Sequence, residues 1–212
     1  MPYLIYAPDT NNEKLYELRT GALFSDISGF TKMCSMMEPR KIISMLNEHF
    51  KIMVEDIVFK YEGTLEKYIG DALFAIWGAP CRTTSDEEKA IKAAIDMQWA
   101  VRRLNQEREK RKEKPIAIHI GINSGKVAAG NIGSERLLQY ATIGDTTNVT
   151  SRICSEAKAD EILISQTTKE KLKSQIFPLE KIPPVIVKGK DEPIQLYRLL
   201  WQQVQSEPNE KG

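Results

Sequence analysis

Asp26 and Asp71 each stand where an apolar, β-prone run meets a glycine, in GALFSDISG and YIGDALFAIW. A carboxylate beside a buried strand is costly to desolvate unless it meets a cation. Hard divalent cations take carboxylate oxygens together with water and substrate phosphates, so two such acids with no His or Cys beside them point to Mg²⁺ or Mn²⁺ and phosphoryl chemistry. Taken singly, each acid also has a conformational reading, because Asp next to Gly is common turn chemistry. Asn148 and Arg152 are four apart in a helix-like stretch, hence on one face. Arg offers a planar charged fork for a phosphate and Asn a donor and an acceptor, a pairing suited to holding a sugar and steadying a pentavalent phosphorus; both residues are also ordinary solvated helix positions. Lys67 is a lone cation in TLEKYI, either guarding an edge strand or reaching a ligand. Gly125, Gly130 and Gly133 make a loosely glycine-rich stretch, but no GxxxxGK[ST] and no GxGxxG after a strand is present, so P-loop and Rossmann sites are unsupported. The methionines at 33, 36, 37, 45 and 53 suit gap-filling core positions.

The elements that must position these residues follow from periodicity. GALFSDI reads as a buried strand that stops at Ser28-Gly29, leaving Asp26 near its C-terminal end. From Pro39 to Tyr61 apolar residues recur at three and four, which predicts a helix with one broad buried stripe, ended by Gly63. TLEKYI and ALFAIW, separated by Gly70-Asp71, read as a hairpin that presents Asp71 on a tight turn. Ser85 with Glu88 suggests a capping box opening a second long helix to Leu104, closed by the mixed-charge run Arg102 to Lys114, a solvated helix end or an anion patch. PIAIHIGI leading into NSGK and VAAGN predicts a second hairpin turning at Asn123 to Lys126. A strand from Leu138 to Ile143, a helix from Gly144-Asp145 through Ser155, a strand ILIS, a small helix capped by Thr167 and Glu170, and strands near Val185 to Val187 and Ile194 to Leu199 complete the chain. This order predicts an α+β fold, an antiparallel sheet with helices on one face.

Composition narrows the classes. The 212 residues suit one large domain with a real core. Thirty Lys+Arg against 29 Asp+Glu leave a net charge of +1, which disfavours nucleic-acid binding and attraction to an anionic membrane. Three separated Cys and two His form no disulfide framework and no zinc pattern. No signal peptide and no apolar run of membrane-spanning length is present, so a cytoplasmic protein is expected, and the sequon at Asn148 is read as coincidence.

Three spaced motifs, FSDISGFT (Phe24 to Thr31), EKYIGD (Glu66 to Asp71) and IGDTTNVTSR (Ile143 to Arg152), together with GINSG from Gly121 and VKGK from Val187, resemble the catalytic domain of class III nucleotidyl cyclases. The resemblance implies a ferredoxin-like α+β domain over residues 19–201, with 1–18 a linker or edge and 202–212 a tail. It implies a homodimer with each active site assembled from both chains in the cleft between protomers. Asp26 and Asp71 would hold two divalent ions, Mg²⁺ or Mn²⁺, with the carbonyl of Ile27 as a further ligand. Asn148 would orient the ribose and Arg152 would stabilise charge on the α-phosphate. Lys188 would contact the terminal phosphates, and Ser28, Gly29, Phe30 and Thr31 would offer backbone N–H groups to the same phosphates. Residues 1 to about 18 are expected to join an upstream regulatory domain that lies outside these 212 residues.

In that family a lysine in the EKxxGD segment reads adenine with an Asp or Thr partner seven residues before the Asn. Lys67 matches the lysine. The partner position is Ala141, which has no polar side chain, and Thr142 beside it would face the other way on a strand. The expectation is therefore an adenylyl cyclase acting on ATP, with weakened rejection of GTP. The alternatives are a cyclase with relaxed or GTP preference, and a catalytically silent dimerisation or nucleotide-sensing module.

Overall fold

The computed structural model describes residues 16–80, 82–134, 137–174, 176–188 and 190–204; residues 1–15 of the expected linker, 205–212 of the expected tail and Gly189 of the VKGK stretch lie outside the described residues. In chain order the elements are β1 (Tyr16–Ile27), α1 (Phe30–Cys34), α2 (Pro39–Lys51) running on as a π-helical stretch (Ile52–Val58), β2 (Thr64–Ile69), β3 (Ala72–Trp77), α3 (Asp86–Lys110), β4 (Ile118–Ser134), β5 (Leu137–Ile143), α4 (Asp145–Glu156), β6 (Ile162–Ser165), α5 (Gln166–Lys169), β7 (Leu179–Lys181) and β8 (Leu196–Leu199). The strands form one sheet in the order β2-β3-β1-β4-β6-β8-β7, with β5 paired to the far half of β4. Its pairs are antiparallel except that of β4 with β6. The first strand is longer than its apolar run and begins inside the stretch expected to be linker.

Alternation along the strands sorts side chains into two layers. Leu23, Ile27, Leu73, Trp77, Ile118 and Ile120 face α2 and α3 in the main core. Ala22, Phe24, Phe74 and Ile76 face the other way, where Tyr140 of β5 and Cys154 of α4 cover them. Helices therefore lie on both faces of the central sheet, not on one. The physical reason is in β3, whose six residues are all buried: a strand apolar on both sides needs cover on both sides.

Four local expectations are corrected. The chain does not turn at Asn123 to Lys126; β4 runs straight through as 17 residues. The residues that look like turn chemistry serve close packing of α4 instead. A Cβ on Gly121 would lie 2.2 Å from the backbone nitrogen of Cys154, and one on Gly125 would lie 2.3 Å from Thr146 Oγ1. Asn123 donates to the Thr146 carbonyl at 3.2 Å and accepts from Thr167 Oγ1 at 3.0 Å. No capping box forms at α3: Ser85 makes no side-chain cap, and Glu88 instead accepts the N–H groups of Lys173 and Ser174 at 3.0 and 2.8 Å. The small helix α5 is capped by Ser165, and Val185 forms only a single bridge to Ile194.

His49 on α2 is 1% exposed and its Nδ1 has no partner among the described residues. Burial pushes its imidazole from 6.5 down to about 4. The unfolded chain therefore takes up a proton below pH 6.5 that the native state refuses, so the stability from neutral His49 is complete above that pH and drains away as pH falls towards 4. By about pH 4.5 the loss is expected to be about 2–3 kcal/mol. Denaturant unfolding of His49→Leu should show a shallower acid-side loss of stability than the wild type; equal slopes would refute the assignment.

Candidate active site

Asp26 lies one residue before the end of β1 and Asp71 one residue before the start of the adjacent antiparallel β3. The turn that presents Asp71 has two residues, Gly70 and Asp71, between the paired Ile69 and Ala72. Gly70 adopts φ +64°, which a glycine enters without a Cβ penalty. The two acids meet. Asp71 is pushed up to about 7, first by burial and then by the hydrogen bond and the charge it encounters at Asp26. The Asp26 side chain remains 39% exposed, and its Oδ1 accepts the Ile27 N–H at 3.0 Å.

Facing carboxyls at the mouth of a site repel one another, and a divalent cation relieves that repulsion. Among the described residues no three His, Cys, Asp or Glu side chains gather. The two carboxyls and nearby main-chain carbonyls form a mainly hard-oxygen set that suits Mg²⁺ or Mn²⁺ better than zinc, although the pair is not free of histidine, since His119 stands beside Asp26.

His119, to which sequence reasoning gave no role, pairs across β4 with Asp26. Its Nε2 lies 3.7 Å from Asp26 Oδ2 and its Nδ1 3.0 Å from Ser28 Oγ. Burial lowers its pKa, opposed by the negative charge of Asp26. The loop after β1 departs from expectation at Ser28, whose N–H is taken by the Ala117 carbonyl at 2.8 Å. The N–H groups of Gly29, Phe30 and Thr31 have no backbone acceptor among the described residues, and Gly29 holds φ +71° to begin α1.

Lys67 does not stand alone on its strand. A bulge between Leu65 and Lys67 interrupts the β2–β3 register. The residue there, Glu66, has a fully buried side chain whose Oε1 lies 3.0 Å from Lys67 Nζ. That contact is an ion pair without hydrogen-bond alignment. The other oxygen, Oε2, accepts the Thr142 N–H at 3.1 Å and a hydrogen bond from Thr142 Oγ1. Thr142 is 3% exposed and occupied in this way, while Ala141, the position beside it, presents only a methyl group.

Asn148 and Arg152 share one face of α4, the first exposed and the second half-buried. Neither side chain has a hydrogen bond or ion pair to any described residue, and they make none with Asp26 or Asp71 within the chain. The exposed Lys188 is equally unengaged among the described residues. Its segment is fixed on both sides: Val187 is 1% exposed, and Lys190 pairs with Asp145 at the start of α4 at 2.6 Å.

The sequence profile of a family described as the adenylate and guanylate cyclase catalytic domain matches residues 17–200. An adenylate cyclase of Anabaena cylindrica is 35% identical over 189 residues, covering 85% of this chain and 36% of that protein. Adenylate cyclase 1 of Rhizobium meliloti is 32% identical over 132 residues, covering 62% and 20%. The chain thus spans well under half the length of these relatives. The crystal structure of the adenylyl cyclase CyaB from P. aeruginosa superposes with a TM-score of 0.84 at 30% identity, covering 92% of this chain and 98% of that one. The guanylate cyclase domain of RhGC from Catenaria anguillulae, solved in complex with GTP, gives 0.79 at 29% identity, covering 88% and 97%.

Proposed function

From the premise that this chain belongs to the adenylate and guanylate cyclase catalytic domain family, we propose that it is an adenylyl cyclase forming 3′,5′-cyclic AMP and pyrophosphate from ATP. The observation that carries the reading is the meeting of Asp26 and Asp71 carboxyl to carboxyl at the ends of neighbouring strands. These two side chains, with the Ile27 carbonyl, would hold two divalent ions. When bound, such ions acidify the ribose 3′-hydroxyl and neutralise the triphosphate. The 3′-hydroxyl releases its proton to solvent, and the 3′-oxygen forms a bond to the α-phosphorus as the bond to pyrophosphate breaks in line.

The remaining groups bind and orient. Asn148 holds the ribose and Arg152 meets the charge that grows on the α-phosphate, where a preorganised donor counts most. Lys188 and the free N–H groups of Gly29, Phe30 and Thr31 hold the outer phosphates. Lys67 reads the base: an ammonium only donates, and adenine offers an acceptor at N1 where guanine carries N–H. Each site draws on both chains of a homodimer. Two features support this: Asn148, Arg152 and Lys188 are unengaged among the described residues, and exposed Tyr68, Ile69 and Ile143 lie at the ends of β2 and β5.

A cyclase that also accepts GTP is favoured by one observation, the missing polar group at Ala141. Purified chain supplied with Mn²⁺ and equal ATP and GTP is expected to yield cyclic AMP in excess over cyclic GMP when the products are separated by chromatography. Cyclic GMP in excess would overturn the base assignment. No cyclic product from either nucleotide would turn the reading to a silent dimerisation or nucleotide-sensing module. No helix among the described residues is long and apolar enough to cross a membrane.

A further inference from the structure

Glu66 is a carboxylate with no exposed side-chain surface, on a strand whose neighbour Lys67 is 34% exposed. Burying a charge is costly unless it is paired and hydrogen-bonded. Here one oxygen takes both bonds that Thr142 can donate, and the other lies 3.0 Å from the Lys67 ammonium. The arrangement is built from distant parts of the chain, since Glu66 and Thr142 are 76 residues apart in sequence. The bulge between Leu65 and Lys67 places Glu66 where the regular β2–β3 pairing is broken, and bulges of this kind re-aim side chains.

We infer that Glu66, locked by Thr142, is a positioning residue that fixes the Lys67 ammonium and so sets the base preference of the site. This rests on the adenylyl cyclase reading above. A lysine carries its charge on a flexible four-carbon stem. Held in one place, the ammonium matches an acceptor such as adenine N1 and opposes a donor such as guanine N1–H. Released, it swings away from that mismatch to reach another acceptor on guanine, and discrimination falls. Ala141 supplies no polar group to compensate, so selectivity depends on where Lys67 is held.

Selectivity is read in two ways, as the ratio of kcat/KM for ATP and GTP with Mn²⁺, and as the ratio of Kd for their non-cyclisable α,β-methylene analogues. Glu66→Gln keeps the shape and removes the charge. It is expected to lower the ATP preference by about tenfold in both ratios, and to have no further effect in a Lys67→Ala background. Thr142→Val should shift the ratios in the same direction and Thr142→Ser should restore them, so the test survives if Glu66→Gln does not fold. Unchanged ratios in Glu66→Gln or Thr142→Val, or an equal fall with Lys67 absent, would overturn the inference. Failure of the adenylyl reading itself is distinct: wild type would then prefer GTP, or Lys67→Ala would leave the ratios of wild type unaltered.

Discussion

Replacing Asp71 with alanine is expected to abolish cyclic nucleotide formation, by about 10³-fold or more, and to leave a folded protein. The loss follows from the chemistry asked of the pair, since removing one of two metal-holding carboxyls removes several kcal/mol of transition-state stabilisation. The fold survives because Asp71 occupies a two-residue turn, where the cost of burying its carboxyl beside the Asp26 charge offsets the hydrogen bonds it makes. Deleting one of two facing acids removes a repulsion, so the variant should melt no lower than the wild type. Mn²⁺ binding followed by calorimetry should weaken in step. Activity retained in Asp71→Ala, or Mn²⁺ bound with wild-type affinity, would refute the role given to the pair.

Arg152→Ala carries the second large effect, a fall in kcat of about 10²- to 10³-fold, as expected when a charged donor is taken from a developing oxyanion. Its guanidinium has no partner among the described residues, so the substitution leaves no buried charge behind and should cost little stability. Because it and Asp71 are proposed to serve one site from two chains, the two inactive variants should complement. In a mixture of Asp71→Ala and Arg152→Ala, each heterodimer holds one site with both defects and one with neither. Random pairing then restores about a quarter of wild-type activity. A mixture as inactive as its components would show that the sites are not shared.

Much of the chemistry is legible in the residues alone. Periods of two and 3.6 located β1 to β3, the long helices and α4, and the acids at strand ends stand out because few reasons exist to put a carboxylate there. The helices on both faces were also signalled, by the unbroken apolar run ALFAIW, although alternation elsewhere suggested a single buried face. Local chemistry misled at NSGK, where Asn and Gly are equally suited to turning a chain and to letting a helix approach a strand closely. Only the presence of α4 over Gly121 and Gly125 decides between these.

Most of the elements and all of the proposed functional groups are set by periodicity and residue type, which are properties of neighbours in the chain. Tertiary structure decided which groups meet. The pairing of Asp26 with His119 depends on the β1–β4 register, and the contact of Glu66 with Thr142 depends on β5 coming over the β1–β3 face, where Tyr140 packs with Phe24 and Phe74. A carboxylate becomes a buried, directed tether only once a distant strand both excludes water from it and donates the hydrogen bonds that replace that water.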